Sequence, residues 1–319
     1  MKFSMNLDFF VVLANLVSLF ALIAVGYFAV KSGVLKPEAS AIFSAFLLKI
    51  TLPCTIFISL AQKDYDPAFV HDSILLIAAS LIVYPGMQYL SRFLAKPLGV
   101  PEGTRGVWAF TCAYNNCGFM GFPISLALLG SEGLALAVML NISFNLTVYT
   151  LGAIMIASDN TNHQAGKLDI KGIIFSGINI ALVLSLIFYF GQIKINDIIA
   201  APIIYLSDIT TPLSMVIIGM ALARSHAREV LTDKYAWLSS AMRLVIYPVI
   251  ICLILRVFPL GSNPMVNAVF ILIMAMPAAS VTAVLCEMYG GNINFAAKVM
   301  FIQNVLCVVT IPLVCMLIG

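Results

Sequence analysis

Charge is what this chain has least of. Charged residues make up 10% of its 319 positions and hydrophobic ones 62%, with a mean hydropathy of +1.05. No water-soluble domain is built from such a composition. A net charge of +3 is too small to recruit a polyanion, so nucleic acid is not expected as a partner. Histidine is scarce: His71, His163 and His226 are scattered over span ends and loops, with no H-E-x-x-H or similar ligand set. That pattern leaves neither a metal centre nor a nucleophile–base pair at depth, so neither a cofactor nor an enzymatic activity is expected. The seven cysteines (54, 112, 117, 252, 286, 307 and 315) fall within hydrophobic stretches and show no C-x-x-C spacing. They read as buried free thiols acting as small apolar residues rather than as disulfides or ligands. Long polar segments are missing too, apart from Ser158 to Lys171.

What fills the chain instead is a series of hydrophobic stretches, at 8–30, 39–61, 71–91, 104–130, 133–157, 172–191, 198–223, 235–257, 265–288 and 294–317. Most are long enough to cross a bilayer as a helix, which predicts an all-α protein with ten membrane spans, in contact with lipid. The first stretch lacks a cleavage site of the A-x-A kind and is too long for a signal-peptide core, so it reads as a mature span. Ten spans place both termini on one side. With the termini outside, eleven of the 17 basic residues lie on the cytoplasmic side, four outside (Lys2, Lys63, Lys194 and Arg256), and Lys49 and Arg243 within spans. The positive-inside rule therefore puts both termini outside, in the cell membrane.

The fourth stretch is broken in its middle by Asn115-Asn116-Cys117-Gly118-Phe119-Met120-Gly121-Phe122-Pro123. A membrane helix leaves its backbone unpaired only where it lines a cavity or packs against protein, so the break predicts a binding site on a discontinuous helix. The polar segment 158–171 divides the chain into 1–157 and 172–319, and the two parts resemble each other. Thr51-Leu52-Pro53 answers to Thr210-Thr211-Pro212, Tyr84-Pro85 to Tyr247-Pro248, Gly130 to Gly290 and Asn145 to Asn304, all at nearly the same spacing. Four pairs in order predict an internal repeat. Five spans per repeat invert the second copy in the membrane, which places the site at the interface of the repeats. The same spacing carries the break onto Met276-Pro277-Ala278-Ala279-Ser280 in the ninth stretch, either a second unwound segment or an ordinary proline kink.

These residues resemble the auxin efflux carrier family, which includes the plant auxin exporters and bacterial carriers proposed for malate or malonate. The similarity lies in Tyr114 to Pro123, in Leu206-Ser207-Asp208 with Gly219, in Met242-Arg243 with Pro248, in Pro277 with Tyr289, and in Asp72-Ser73. The resemblance covers the whole chain and sets it with the bacterial-type members. It implies a scaffold of helices 1, 2, 6 and 7 and a transport domain of helices 3–5 and 8–10. It further implies that helices 4 and 9 cross at their breaks, an elevator-like movement, and a homodimer formed through the scaffold. The long loop that the plant exporters carry between helices 5 and 6 is here only the short segment 158–171, so regulation through it is not implied. The flank Cys117-Gly118 also differs from theirs, which argues against auxin itself as substrate.

Half-helices beginning near Phe119 and Ala278 would point unpaired N–H groups at the midplane, and such ends bind carboxylates without a lysine. Asn115, Asn116, Cys117, Gly118, Phe119, Pro277, Ala278, Ala279 and Ser280 are therefore the candidate substrate-binding residues, with Thr282 as a further hydroxyl. Neither break contains arginine or lysine. Charges at membrane depth are candidates for coupling or for structural pairing. Lys49 and Asp208 each precede a proline by four residues, Pro53 and Pro212, and their equivalent positions predict an ion pair. Arg243 either snorkels or partners Asp72 or Glu287, and Asp72 is either a proton-coupling residue or an interfacial aspartate. Asn141, Asn145, Gln303 and Asn304 either line the cavity or pack the transport domain. The expected function is a secondary carrier that moves a small organic anion, a carboxylate, across the membrane. A sodium-coupled symporter of the bile-acid type and, further off, a channel are the alternatives.

Overall fold

The computed structural model describes residues 9–36, 38–159, 176–224 and 232–318. Lys167, Lys171 and Arg228 of the basic count, Lys2 outside, His163, His226 and the body of the 158–171 segment lie outside the described residues. Among the described residues every regular element is a helix, and the single β-bridge joins Asn115 to Ala278.

Among the described residues eleven helical runs longer than one turn follow one another: α1 (Phe9–Lys31), α2 (Ala39–Ala61), α3 (Pro67–Ala95), α4 (Arg105–Ala113), α5 (Cys117–Ala157), α6 (Gly177–Gly191), α7 (Asp197–Arg224), α8 (Lys234–Val257), α9 (Pro264–Met274), α10 (Thr282–Tyr289) and α11 (Ile293–Ile318). Seven of these are long and apolar enough to cross a membrane, and α6 and α9 are shorter apolar helices. The chain is a multi-pass membrane protein.

Helix starts follow from local sequence. Asp66, Asn263 and Asp233 cap α3, α9 and α8 by accepting main-chain amides, and Pro67 and Pro264 occupy first-turn positions where no amide is needed. The 41-residue run α5 is turned at Gly130, which takes φ 70° and ψ −166°. Gly290, its partner by sequence spacing, ends α10 at φ 75°. Both torsions favour glycine, because a Cβ would crowd the following carbonyl.

Two sets of helices pack mainly among themselves. α1 lies along α7, and α2 packs against α6 and α7. The approach of α1 to α7 is set by glycine: a Cβ on Gly219 would stand 1.9 Å from the Ile23 carbonyl oxygen, and one on Gly26 would stand 2.1 Å from that of Val216. In the second set α3 packs against α4 and α5, α9 against α5, and α8 against α4 and α11. Its core is aromatic around Tyr84, Tyr114, Phe110 and Phe144, with the Tyr84 and Tyr114 rings stacked 5.5 Å apart.

Candidate functional site

The two chain breaks cross. α4 ends at Ala113, and Tyr114, Asn115 and Asn116 run extended past Pro277, Ala278 and Ala279, which follow α9. The Asn116 amide donates to the Pro277 carbonyl at 2.7 Å and the Ala279 amide donates to the Tyr114 carbonyl at 3.1 Å. A short antiparallel pairing thus satisfies backbone that neither helix holds, as burial requires. The Ala278 amide is taken by the Gln303 side-chain oxygen at 2.7 Å. Because residues 277–279 are held extended, the second half-helix begins at Thr282 rather than near Ala278. The first begins at Cys117, close to where the sequence places it.

The adjacent asparagines do different work. Asn115 is fully buried, its Nδ2 donating to the Ile273 carbonyl at 2.7 Å and its Oδ1 accepting from the Tyr84 hydroxyl at 3.1 Å. Its side chain is consumed by the fold. The Oδ1 of Asn116 accepts the Phe119 amide at 3.1 Å and caps the half-helix, while its Nδ2 has no partner among the described residues. The Thr282 hydroxyl is spent on the Ala279 carbonyl, but the Ser280 hydroxyl has no partner among the described residues.

Beside the crossing lies a cavity of about 530 Å³. Its end at the crossing is formed by Asn115, Asn116, Cys117, Gly118, Phe119, Ala279 and Ser280; Pro277 and Ala278 of the expected set stand behind, in the pairing itself. Leu48, Leu52, Phe122, Phe144, Ile217 and Ile218 supply an apolar wall, and Ser40, Ser44, Asn141, Asn145 and Asn304 a neutral polar one. No charged side chain lines it among the described residues. The Oδ1 of Asn304 is buried and has no partner among the described residues. The lining comes from α2, α6 and α7 on one side and from α5, α10 and α11 on the other. Side-chain bonds join the two packed sets of helices, among them Asn145 Nδ2 to Asn179 Oδ1 and Asn15 Nδ2 to the Ala127 carbonyl, both 2.9 Å. Ser40, Ser44 and Tyr149, which also line the cavity, carried no signal in the sequence, since they lie far along the chain from either break.

Two expectations about charge are corrected. Lys49 and Asp208 form no ion pair, and both are exposed on the surface of the chain. Thr55 meets Ser207 and Thr210, and Lys49 lies six residues before Thr55, about 9 Å along the helix, so the pair is out of register. Arg243 neither snorkels nor meets Asp72 or Glu287. It is fully buried and donates only to main-chain carbonyls: Nε to Met276 at 2.9 Å, one terminal nitrogen to Ala113 at 2.8 Å and Cys112 at 3.4 Å, the other to Met274 at 3.0 Å. Asp72 does not reach the cavity; it accepts from Asn263 Nδ2 at 2.7 Å and lies 3.5 Å from His71. All seven cysteines are free. Gln303 belongs to the crossing and Asn141, Asn145 and Asn304 to the cavity wall.

Broken helices crossing beside a cavity in a multi-pass protein are a carrier's architecture, and residues 11–315 match the family described as Membrane transport protein. The chain belongs to this family of membrane transport proteins, that of the auxin efflux carriers. It is a transporter and not an enzyme. A protein of Methanothermobacter thermautotrophicus, described as an uncharacterized transporter, is 26% identical over 300 residues, covering 94% of this chain and 96% of its own. Another so described, from Methanocaldococcus jannaschii, is 25% identical over 302 residues, covering 92% and 94%.

Proposed function

We propose that this transporter is a secondary carrier of a small organic anion, best a singly charged carboxylate with an apolar body. The observation that carries this reading is the unpartnered Nδ2 of Asn116 at the polar end of the cavity. Beside it lie the first-turn amides of Cys117 and Gly118, which precede the first intrahelical bond, and the free Ser280 hydroxyl. Helix N-termini carry about half a positive charge, and these donors together suit a carboxylate. The apolar wall suits an organic body. A lining without fixed cations gives weak binding that is easily released, which suits a carrier.

The architecture behind this reading has ten spans. α4 with the first part of α5 forms the fourth, the remainder of α5 the fifth, and α9 with α10 the ninth. The halves are inverted repeats, an assignment supported by the matched breaks and by the left-handed glycines 130 and 290. The set α1, α2, α6 and α7 is the scaffold and the other helices move against it in elevator fashion. Support comes from the packing within each set and from a cavity whose lining is divided between them. The termini face out of the cell membrane. The lining then runs from the crossing toward the cytoplasmic ends of α2, α6, α7 and α11, and the state described is open inward. Lys49 and Asp208 are exposed at a depth that lipid disfavours, and a homodimer through the scaffold would cover them.

The test is exchange in proteoliposomes, with radiolabelled benzoate outside and unlabelled benzoate inside. Protein-dependent uptake, blocked by excess unlabelled carboxylate and not by benzylamine, is expected. Absence of uptake for benzoate and for a panel of other mono- and dicarboxylates would overturn the reading.

A further inference from the structure

We infer that Arg243 is a resident cation at the helix crossing, standing where broken-helix carriers otherwise place a coupling metal ion, so that this protein's cycle needs no inorganic cation. The inference deepens the carrier reading by assigning its coupling. In carriers with discontinuous helices, the carbonyls at half-helix C-termini and in the unwound segments are the oxygen ligands of sodium. Here those carbonyls are already taken. The guanidinium donates to Cys112 and Ala113 at the end of α4, to Met274 at the end of α9, and to Met276 in the unwound segment after it, between 2.8 and 3.4 Å.

Three further observations point the same way. No acidic group pairs with Arg243 among the described residues, and the salt bridges found there are His71–Asp72 and Lys298–Asp233. The charge is therefore balanced by carbonyl dipoles alone, the surroundings that a bound monovalent cation would have. The residue sits on a π-turn, Met242–Ile246, an irregularity that re-aims side chains within a helix. It also stands outside the cavity lining, so it holds the crossing without touching the ligand. Arginine suits this place because its planar fork of five donors serves several acceptors at once, is always charged and is weakly hydrated. Asn115 ties the same two segments through the Ile273 carbonyl, and Gln303 of α11 holds the Ala278 amide. A metal ion would meet carbonyls that already face a fixed positive charge.

Arg243 is thus a positioning residue, and its test reads cation dependence without any organic anion. Purified wild-type protein is melted in sodium, potassium and choline chloride at equal concentration, and the same midpoint is expected in all three. Arg243→Ala is expected to melt well below wild type in choline chloride and to regain part of the loss when methylguanidinium chloride replaces choline. Wild type should gain no stability from that exchange. Arg243→Lys, which keeps the charge but not the fork, should fold with an intermediate midpoint and decides the question if Arg243→Ala is not recovered folded. Selective stabilisation of wild type by sodium would overturn the proposal. So would Arg243→Ala that melts like wild type or that methylguanidinium fails to restore, or Arg243→Lys no more stable than Arg243→Ala. Because no organic anion is present, failure of the carrier reading leaves this outcome intact, and the reverse holds as well.

Discussion

Replacing Asn116 by alanine separates binding from folding at the crossing. Two contacts are removed. The first is the cap on the Phe119 amide, a 3.1 Å bond whose loss is worth about 1 kcal/mol. Set against a net stability of about 5–15 kcal/mol, that leaves the protein folded, and the main-chain bond from Asn116 to Pro277 is untouched. The second is the Nδ2 donor, which in the proposed complex meets a carboxylate. A hydrogen bond to a charged group is worth about 1.5–3 kcal/mol, which corresponds to binding weaker by roughly tenfold to 150-fold. Asn115→Ala is the control, because its side chain holds the Ile273 carbonyl and the Tyr84 hydroxyl in full burial. Orphaning both costs about 1–3 kcal/mol each, so that variant should lose stability first. Melting curves and calorimetric titration with benzoate, run on both variants, give the two quantities. Benzoate affinity of Asn116→Ala within about twofold of wild type, a difference of about 0.4 kcal/mol, would refute the assignment of Nδ2 to the ligand.

Gly219→Ala sets a methyl against the Ile23 carbonyl, and overpacking of this kind costs about 1–3 kcal/mol; a lower melting midpoint is expected, and an unchanged one would disprove the tight α1–α7 contact. A double-mutant cycle of Lys49→Met and Asp208→Asn in a single chain should be additive within about 0.5 kcal/mol, since the two charges do not meet; strong coupling within a detergent-solubilised monomer would contradict the register described. Asp159, beyond the end of α5, is held by the Gly106 and Val107 amides, and burial pushes its carboxyl above the usual aspartate range against the pull of those amides and of Arg92 and Arg105. The folded chain then binds its proton more tightly than the unfolded chain does. Stability should fall as pH rises from the ordinary value of 3.8 through the raised one, and Asp159→Asn should flatten that slope; an unchanged slope would refute the burial argument.

The sequence showed where the chain breaks but not which atoms the breaks leave free. Pro277 and the Asn115–Pro123 run are local irregularities in apolar stretches, and membrane helices announce such faults because lipid cannot satisfy loose backbone. The start of α10 was displaced by four residues, from Ala278 to Thr282, because pairing with Tyr114–Asn116 keeps 277–279 extended, and strand pairing across long separations has no local signal. Asn115 and Asn116 are the same side chain in adjacent positions, and only tertiary neighbours such as Tyr84 and Ile273 make one structural and leave the other an open donor. The place of Arg243 is hidden from the sequence for a related reason: its partners are main-chain carbonyls, which every residue carries. Lys49 and Asp208 match by repeat spacing, yet equal spacing fixes neither which way a side chain faces nor the register between α2 and α7.

The most direct test of the anion-carrier account is calorimetric titration of the purified protein at neutral pH with benzoate, benzamide and benzylamine, three bodies of one shape and different charge. The donors at the crossing and the absence of charge from the cavity lining predict that benzoate binds at least about tenfold tighter than either, a gap of about 1.4 kcal/mol. Benzamide or benzylamine binding as tightly as benzoate would contradict it.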